Sequence, residues 1–389
     1  MPTIEERLAA LETKLAALTE TTPTTYYEHQ YSGEEIDNAV ARALPNGAID
    51  QAAGTFARPN LLDNWYFGRP VDQKGGYIVP KGVNYYKVDG FVPQGPIPET
   101  VKVDHIDYAG SAIFNYGGVA CYVPKDGGYV RGYTGNGYSV DRWILNNANI
   151  NVKESELSIS SVAYDNNFSQ KIESKLWEYM VGKTITISFL VKNITGRWVV
   201  ASGNNKIYGT ITEIGLHKFT DKLVESVTDA FHIFSLGGDA GGQIDILAAK
   251  LELGHTQTLA HREGDKWVLN EIPNYGEQLR RCQMDLFKIG DAVRYCSLGN
   301  GVARDSQFVS ITIPTPVTMR TIPVLIAPPV GFTMRHNDTI VSGGANFSVD
   351  AFSQNSIMLK VQSQVALTPG DMWEAFLQPN GSLVFSAEL

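Results

Sequence analysis

Apolar residues near the start of the chain recur at alternating intervals of four and three. They are Ile4, Leu8, Leu11, Leu15 and Leu18. This heptad spacing predicts a parallel coiled coil over residues 1–22, with Leu8 and Leu15 at position a and the other three residues at position d. An isolated helix of this length is marginal in water, so the segment would align chains that also associate elsewhere. The alternative is an amphipathic helix that lies on the body of its own chain.

A second helix is predicted over residues 32–44. Ser32 can cap its first turn and Glu35 follows three residues later, which is the spacing of a capping box. Pro45 and Gly47 end the pattern. The apolar stripe of this helix is too narrow for an independent domain. We therefore assign residues 23–59 to a helix and a linker, and we expect the helix to pack against a neighbouring chain or the β body.

From residue 60 onward, short runs of β-branched and aromatic residues alternate with turns rich in Gly, Pro and Asp. Ile185, Ile187 and Phe189 follow the period of two that predicts a strand with one buried face. A short helix is predicted within residues 171–183, where Gly182 ends the pattern. The chain therefore belongs to the mainly β class.

Four motifs occur in order in this β body. They are NLLDNWYFGRPVDQKGG at residues 60–76, GYSVDRW at 137–143, AAKLELG at 248–254 and YGEQLRRCQMDLF at 275–287. Together they resemble a frame found in tail-fibre and receptor-binding-type proteins of phages and prophages. In that family, an Asn-Leu-Leu-Asp-Asn opening and a Gln-basic-Gly loop lead to an Asp-Arg-Trp strand, and a Lys-Leu-Glu-Leu-Gly strand closes the domain. The resemblance covers roughly residues 31–389.

The resemblance implies a jelly-roll β-sandwich over residues 60–254, like those of carbohydrate-binding modules. It also implies a helix that leads into a C-terminal β-sandwich over residues 277–389, with a polar linker at 255–276. In the family, the Gln-basic-Gly loop runs quickly into the Asp-Arg-Trp strand. Here residues 77–136 intervene, and we interpret them as an inserted β-subdomain. The alternative is that these residues only extend the jelly roll.

Charge and cysteine content limit the class of protein. The net charge of −9, from 32 basic and 41 acidic residues, argues against a nucleic-acid-binding surface, which is usually basic. Cys121, Cys282 and Cys296 are odd in number and form no Cys-Xaa-Xaa-Cys pair, so we expect buried free thiols. The first residues lack a signal-peptide pattern, and no apolar run is long enough for a membrane span. We therefore expect no membrane insertion, and export by lysis or particle assembly.

No catalytic motif stands out in the sequence. Neither a Gly-Xaa-Ser-Xaa-Gly elbow nor a His-Glu-Xaa-Xaa-His helix occurs. Asp104 and Asp107 lie close to His105, but on a strand the two carboxylates point to opposite faces, which disfavours a joint metal site. A glycosidase needs two carboxylates across a cleft, and the 41 acidic residues give no reason to select two. We expect a protein that is not an enzyme and needs no cofactor.

Aromatic rings are the remaining candidates for a binding surface, because the apolar face of a sugar stacks on them. Trp177, Trp198 and the tyrosines of the insertion are available, although core packing is the commoner role of any one ring. We select as exposed, ligand-facing rings the four tyrosines that neighbour turns: Tyr85, Tyr86, Tyr116 and Tyr129. The competing interpretation is that these rings form the core of the insertion.

The sequence therefore favours a non-catalytic phage tail fibre or receptor-binding protein that adheres to bacterial surface polysaccharide. Its expected partners are further copies of itself in a homotrimer, the host polysaccharide and, through the N-terminus, other tail or baseplate proteins. We expect it to be made in the bacterial cytoplasm and to be located in the virion tail. A virion-associated glycan depolymerase and a structural tail or baseplate spacer are the alternatives.

Overall fold

The computed structural model describes residues 58–389 apart from residues 91, 204–205, 226–231, 291–293, 327–329, 338, 343–346 and 388–389. The predicted coiled coil, with its seam from Ile4 to Leu18, and the predicted helix at residues 32–44 lie outside the described residues. In the described part the protein is mainly β, as predicted, with two short helices, α1 (Ser174–Met180) and α2 (Tyr275–Gln283). Among these residues no helix is long and apolar enough to cross a membrane.

Eight strands lie between residues 77 and 138: β1 (Tyr77–Val79), β2 (Asn84–Lys87), β3 (Pro93–Pro96), β4 (Val101–Lys102), β5 (His105–Ile106), β6 (Ala112–Tyr116), β7 (Val119–Val123) and β8 (Val130–Tyr138). Five of them form an antiparallel sheet in the order β3-β2-β7-β6-β5, which we name the insert sheet. This sheet has a small apolar core of its own, in which Tyr85, Phe114 and Cys121 are buried. Strands β1, β4 and β8 belong to a neighbouring, larger sheet.

The next nine strands are β9 (Trp143–Val152), β10 (Leu157–Ser161), β11 (Asn167–Lys171), β12 (Thr184–Thr195), β13 (Trp198–Ser202), β14 (Ile207–Ile211), β15 (Gly215–Lys222), β16 (Ile233–Gly238) and β17 (Gln243–Leu253). They form an antiparallel sheet in the order β14-β13-β16-β11-β9-β10-β17-β12-β15, to which β8 is joined through β9, β1 through β8, and β4 through β1. We name this twelve-stranded sheet the large sheet. A Cβ atom added to Gly209 in β14 would lie 2.2 Å from the ring of Phe219 in β15. The two end strands therefore approach each other, and the sheet is nearly closed.

Aromatic packing fills the core of the large sheet. The rings of Trp143 and Phe168 are stacked with centroids 4.4 Å apart, and Phe67 meets Trp143 edge-on at 5.3 Å. Trp177 on α1 and Trp198 on β13 are 1% and 0% exposed. Their burial assigns both tryptophans to the core and removes them from the candidates for sugar stacking.

Strand β12 is buried on both faces, in contrast to the single buried face that its alternation predicts. Ser188 lies on the second face, opposite Lys250 of β17 in the strand register. The ammonium of Lys250 reaches Thr258 and Glu271, which flank a β-hairpin. This hairpin covers the second face and removes it from water.

The hairpin consists of β18 (Ala260–Glu263) and β19 (Lys266–Leu269). The sequence predicts a polar linker for residues 255–276, but the structure also shows a β-hairpin in this segment. Their polar side chains concealed two short strands around a Glu-Gly-Asp turn, while Leu259 and Ala260 enter the core of the large sheet. Helix α2 follows and confirms the helix predicted there. The side chain of Asn274 caps α2 by accepting hydrogen bonds from two backbone N–H groups of its first turn.

The last nine strands are β20 (Leu286–Ile289), β21 (Cys296–Ala303), β22 (Phe308–Pro314), β23 (Val324–Leu325), β24 (Val330–His336), β25 (Thr339–Ser342), β26 (Phe347–Phe352), β27 (Ser356–Gln362) and β28 (Met372–Ser386). They form the C-terminal sheet in the order β25-β24-β28-β21-β22-β27-β26. The first part of β28 pairs with β21 and β24, and its last part pairs with β20 and β23. Strand β28 is therefore paired along both of its parts.

The three cysteines are free. Cys121 and Cys282 are buried, as expected, whereas Cys296 at the start of β21 is only partly buried.

Candidate ligand cleft

The first sequence motif attaches the start of the β body to β17. The side-chain amide of Asn60 donates to the carbonyl of Ala249 at 2.8 Å, and its Oδ1 accepts from the N–H groups of Leu251 and Leu62 at 3.1 and 3.0 Å. The N–H of Ala249 donates in turn to the carbonyl of Trp65 at 3.0 Å. The asparagine therefore holds this segment along the part of β17 that β10 does not pair with.

Asn64 connects the first motif to the second. Its side-chain amide donates to the carbonyls of Val71 and Asp141, both at 2.8 Å, and its Oδ1 accepts from the N–H of Val71 at 2.7 Å. Its φ of 50° lies in the left-handed region, which asparagine tolerates better than most residues. The indole N–H of Trp143 donates to the Asn64 carbonyl at 3.0 Å. The loop over residues 64–71 is thereby fixed against the start of β9.

Asp141 holds the Gln-basic-Gly loop. The N–H and the side-chain amide of Gln73 donate to its two carboxylate oxygens at 2.9 and 2.5 Å, and the same amide donates to the carbonyl of Leu286 at 2.7 Å. Burial raises the pKa of Asp141 to about 6, although the hydrogen bonds from Gln73 oppose the rise. Gln73 therefore ties the large sheet to the start of the C-terminal sheet.

Arg142 is a buried cation at the meeting point of these segments. Its Nε lies 3.3 Å from Asp63 Oδ2, its Nη1 lies 3.4 Å from Asp285 Oδ1, and its Nη2 donates to the carbonyl of Lys171 at 3.2 Å. Only 9% of its side chain is exposed. Its φ of 72° is uncommon for arginine. Its contacts with two carboxylates and a carbonyl offset the cost of burying its charge.

Two further arginines complete this network. Arg281 on α2 contacts Asp63 at 2.5 Å. Arg320 binds both oxygens of Asp285 at 2.7 and 3.1 Å and contacts Glu173 at 2.6 Å. We name the six residues the ionic junction: Asp63, Arg142, Glu173, Arg281, Asp285 and Arg320. It joins the large sheet, α2 and the C-terminal sheet.

The Lys-Leu-Glu-Leu-Gly motif holds the β18–β19 hairpin. Lys250 is fully buried, and its ammonium lies 3.4 Å from the carbonyl of Thr258 and 3.3 Å from Glu271. Glu252 accepts from the N–H and the hydroxyl of Thr258 at 2.7 and 2.6 Å. The polar residues of the sequence motifs thus have structural roles in connecting parts of the fold.

A cleft of about 370 Å³ opens beside the Gln-basic-Gly loop, between the insert, large and C-terminal sheets. One wall comes from this loop, β1 and β8, a second from β4 and β5, and a third from β20 and β28. The lining residues are Lys74, Gly75, Gly76, Tyr77, Lys102, Val103, Asp104, His105, Ile106, Tyr133, Tyr138, Lys288, Gly381 and Ser382. Because three parts of the fold contribute, no single sequence motif contains the cleft.

The loop wall of the cleft has a fixed shape. The N–H of Gly75, whose φ is 63°, donates to Asp72 at 3.0 Å. The N–H of Gly76 donates to the Tyr133 hydroxyl at 2.9 Å, and that hydroxyl donates to Asp72. A Cβ atom at Gly76 would lie 2.3 Å from the Tyr133 ring, so only glycine fits there. Arg131 pairs with the buried Asp72 carboxylate at 2.7 Å.

Lysines dominate the charge of the cleft. Lys74, Lys102 and Lys288 line it, and Asp104 is the single carboxylate among the lining residues. The ammonium of Lys288 donates to the carbonyl of Lys74 at 2.8 Å, and burial lowers the pKa of Lys288. The ammonium of Lys74 lies 5.1 Å from the centre of the Tyr138 ring.

A second cavity, of about 380 Å³, follows the ionic junction. Its carboxylates already have cationic partners: Asp63 contacts Arg142 and Arg281, and Glu173 contacts Arg320. The buried charged groups of this cavity belong to the ionic junction, and Glu277 is paired with Arg280 within α2. The first cleft is therefore the better candidate for a ligand.

A glycosidase uses two carboxylates, whereas the lining of the cleft contains one. Among the described residues, no group of three or more His, Cys, Asp or Glu side chains is arranged to hold a metal ion. Asp107 accepts a hydrogen bond from the N–H of Ser111 at 2.7 Å and thereby shapes the β5–β6 turn.

The four selected tyrosines have different environments. Tyr85 is 8% exposed and packs edge-on against Phe114 and Tyr116, at 5.8 and 5.5 Å between ring centres. The expectation that Tyr85 is exposed is wrong, because the insert sheet needs large rings to fill its small core. Tyr116 and Tyr129 pack partly buried against the same core.

Tyr86 lies on the other face of β2, stacked on Tyr122 with ring centres 5.3 Å apart. The structure brings Tyr85 and Tyr116 together but does not gather the four selected rings in one surface, and none of the four lines the cleft. Their role in ligand binding stays a prediction.

Sequence reasoning did not select the three cleft tyrosines, Tyr77, Tyr133 and Tyr138, or the most exposed ring of the insertion. Tyr108 is fully exposed at the β5–β6 turn. The turn residues Asp107 and Gly110 next to Tyr108 were the available signal, because a hairpin tip places its side chains in water.

Comparison with known proteins gives little guidance. No family model matches the chain, and no curated protein matches it. Among solved structures, the chain is similar to the N-terminal CBM22-1–CBM22-2 tandem domain of Xyn10C from Paenibacillus barcinonensis. The identity is 9%, the match covers 63% of this chain and 93% of that chain, and the TM-score is 0.22. This resemblance is distant.

Proposed function

We propose that the protein is a non-enzymatic, receptor-binding protein of the phage tail-fibre type that adheres to bacterial surface glycan. The observation that carries this proposal is the cleft of about 370 Å³ that combines Tyr77 and Tyr138 with ammonium, imidazole and hydroxyl groups. Sugars are bound by this combination, because a ring covers their apolar face while polar side chains bond their hydroxyls.

The tail-fibre setting is supported by the resemblance of the four sequence motifs to phage and prophage fibres. In this setting the seam from Ile4 to Leu18 assembles a homotrimer, and the N-terminus contacts other tail or baseplate proteins. The glycan-binding body then faces the host surface. A single lining carboxylate in the cleft supports adhesion without hydrolysis.

Binding of the full-length protein to immobilised bacterial capsular, lipopolysaccharide and wall polysaccharides, and to the corresponding cells, tests the proposal. We expect saturable binding without release of new reducing ends. His105→Trp should weaken binding at least tenfold, because His105 is exposed and the added ring would fill the cleft.

Lys81→Trp is the matched control, since Lys81 is an exposed residue of the same region outside the cleft. Equal binding by the two variants would exclude the cleft as the site. Release of reducing ends would show that the protein is a depolymerase and not only an adhesin. Absence of binding to every polymer and cell would favour a structural spacer.

A further inference from the structure

The charge of the cleft opposes the charge of the whole protein. The chain carries a net charge of −9, yet the lining of the cleft contains Lys74, Lys102 and Lys288 and one carboxylate, Asp104. Three like charges around one concave surface raise the local concentration of anions. A neutral sugar would gain nothing from this arrangement, whereas an anionic ligand would.

Two of the three ammonium groups are held in place. Lys288 donates to the carbonyl of Lys74 at 2.8 Å. This bond uses one of the three N–H donors of the ammonium. Lys74 lies against the Tyr138 ring and contacts the Tyr138 carbonyl at 3.4 Å. The two side chains come from the large and C-terminal sheets, so the tie made by Gln73 between these sheets also brings the two lysines together.

The two carboxylates whose charges act on Lys288, Asp72 and Asp141, are bound by other groups. Asp72 is bound by Arg131, Tyr133 and the N–H of Gly75. Asp141 is bound twice by Gln73. Burial lowers the pKa of Lys288 although both carboxylates act in the opposite direction. An anion in the cleft would stabilise this partly desolvated ammonium.

We propose that the cleft binds an acidic saccharide, with the anionic substituent against Lys102 and Lys288 and the sugar ring against Tyr77 or Tyr138. This inference rests on the proposed glycan adhesion and adds the substrate class. The substituent is a carboxylate, as in uronic acids, or a phosphate ester. Both groups accept charge-assisted hydrogen bonds from lysine.

The test uses the full-length protein and the acidic bacterial polysaccharides that bind it, each compared with two neutralised forms. In one form the carboxyl groups are reduced to alcohols, and in the other the phosphate groups are removed. We expect one treatment to weaken binding about tenfold, which also identifies the substituent, and we expect binding to weaken as salt is raised.

Lys102→Glu tests the residue assignment. Lys102 is exposed on β4, so the substitution should leave the fold intact, and it should weaken binding of the acidic polymer about tenfold through like-charge repulsion. Lys102→Arg should retain binding. Lys81→Glu applies the same charge reversal outside the cleft and should leave binding close to that of the natural protein.

Undiminished binding of both neutralised forms, or of Lys102→Glu, would overturn the inference. If neutral polysaccharides bind as well as acidic ones, glycan adhesion stands and only the acidic class is wrong. If no polysaccharide and no cell binds, both the proposed function and this inference are wrong.

Discussion

The guanidinium of Arg142 and the carboxylate of Asp285 lie 3.4 Å apart, with side chains that are 9% and 1% exposed. Arg142 stands before β9 of the large sheet, and Asp285 stands before β20 of the C-terminal sheet. Arg142 also contacts Asp63, and Asp285 also binds Arg320 through two nitrogens. Buried charges are tolerated when they are paired, so each of these residues depends on the others.

Replacing Arg142 by Met should lower the free energy of unfolding by about 3–5 kcal/mol, because Asp63 and Asp285 would each lose a buried cationic partner. Urea denaturation gives the stability. Hydrogen exchange of α2 should also become faster, since α2 is held to the large sheet through the Arg281–Asp63 contact.

Arg197→Met is the control for this variant. Arg197 and Asp239 form a pair at 3.4 Å with side chains that are 60% and 45% exposed, so its loss should change stability by less than about 1 kcal/mol. Similar losses in the two variants would show that burial of the ionic junction is unimportant for stability.

The motifs could be located in the sequence, but their roles could not be derived from it. Strands and short helices follow from local periodicity and turn residues. The partners of Arg142 are far apart in the chain, and charged residues ordinarily indicate exposed positions. The burial of Lys250 was equally unpredictable. It depends on the β18–β19 hairpin, and the polar side chains of that hairpin gave no clear strand pattern in the sequence.

Replacing Asn60 by Ala should destabilise the protein by about 3 kcal/mol. The substitution would leave the carbonyl of Ala249 and the N–H groups of Leu62 and Leu251 without their buried side-chain partner. Thermal unfolding measures the effect. Asn115→Ala, which removes only an exposed hydrogen bond to Gly118, should be nearly neutral, and equal effects would contradict the role of Asn60.

The carboxyl of Asp141 should titrate near pH 6 in the folded protein, which carbon-detected NMR can measure. Its folded pKa is raised above the ordinary value of 3.8, so the folded state binds the proton more tightly. The stabilising contribution is present below about pH 4 and is lost as pH rises through about 6, and it amounts to about 3 kcal/mol. A midpoint below pH 4.5 would contradict the effect of burial.

The full-length protein should be a homotrimer in light scattering. Leu at both a and d is compatible with several oligomers, and the choice of trimer rests on the resemblance to phage fibres. Replacing Leu11 and Leu15 by Asp should loosen the N-terminal association while the circular dichroism of the β body stays unchanged. A monomeric natural protein in dilute buffer would contradict the prediction.

The exposed rings could not be identified from the sequence, because on a strand two successive tyrosines face opposite ways and the pattern does not say which face is covered. Tyr85 fills the core of the insert sheet, whereas Tyr86 stacks on Tyr122. The cleft was harder still to predict. Its walls meet only after Lys102 and Lys288 have been brought together by the packing of separate sheets.

Paired substitutions in the insertion separate packing from binding. Tyr85→Ala should cost about 3 kcal/mol or more of stability, because it leaves a cavity beside Phe114 and Tyr116. Tyr108→Ala removes a fully exposed ring and should change stability by less than about 0.5 kcal/mol. If the insertion contributes to adhesion through its tip, Tyr108→Ala should weaken binding to host cells several-fold at unchanged stability. Tyr86→Ala tests the selected ring that lies on the opposite face of β2 from Tyr85. Full adhesion by Tyr108→Ala and Tyr86→Ala would contradict a role of these two rings and favour the cleft, whose lining includes neither of them.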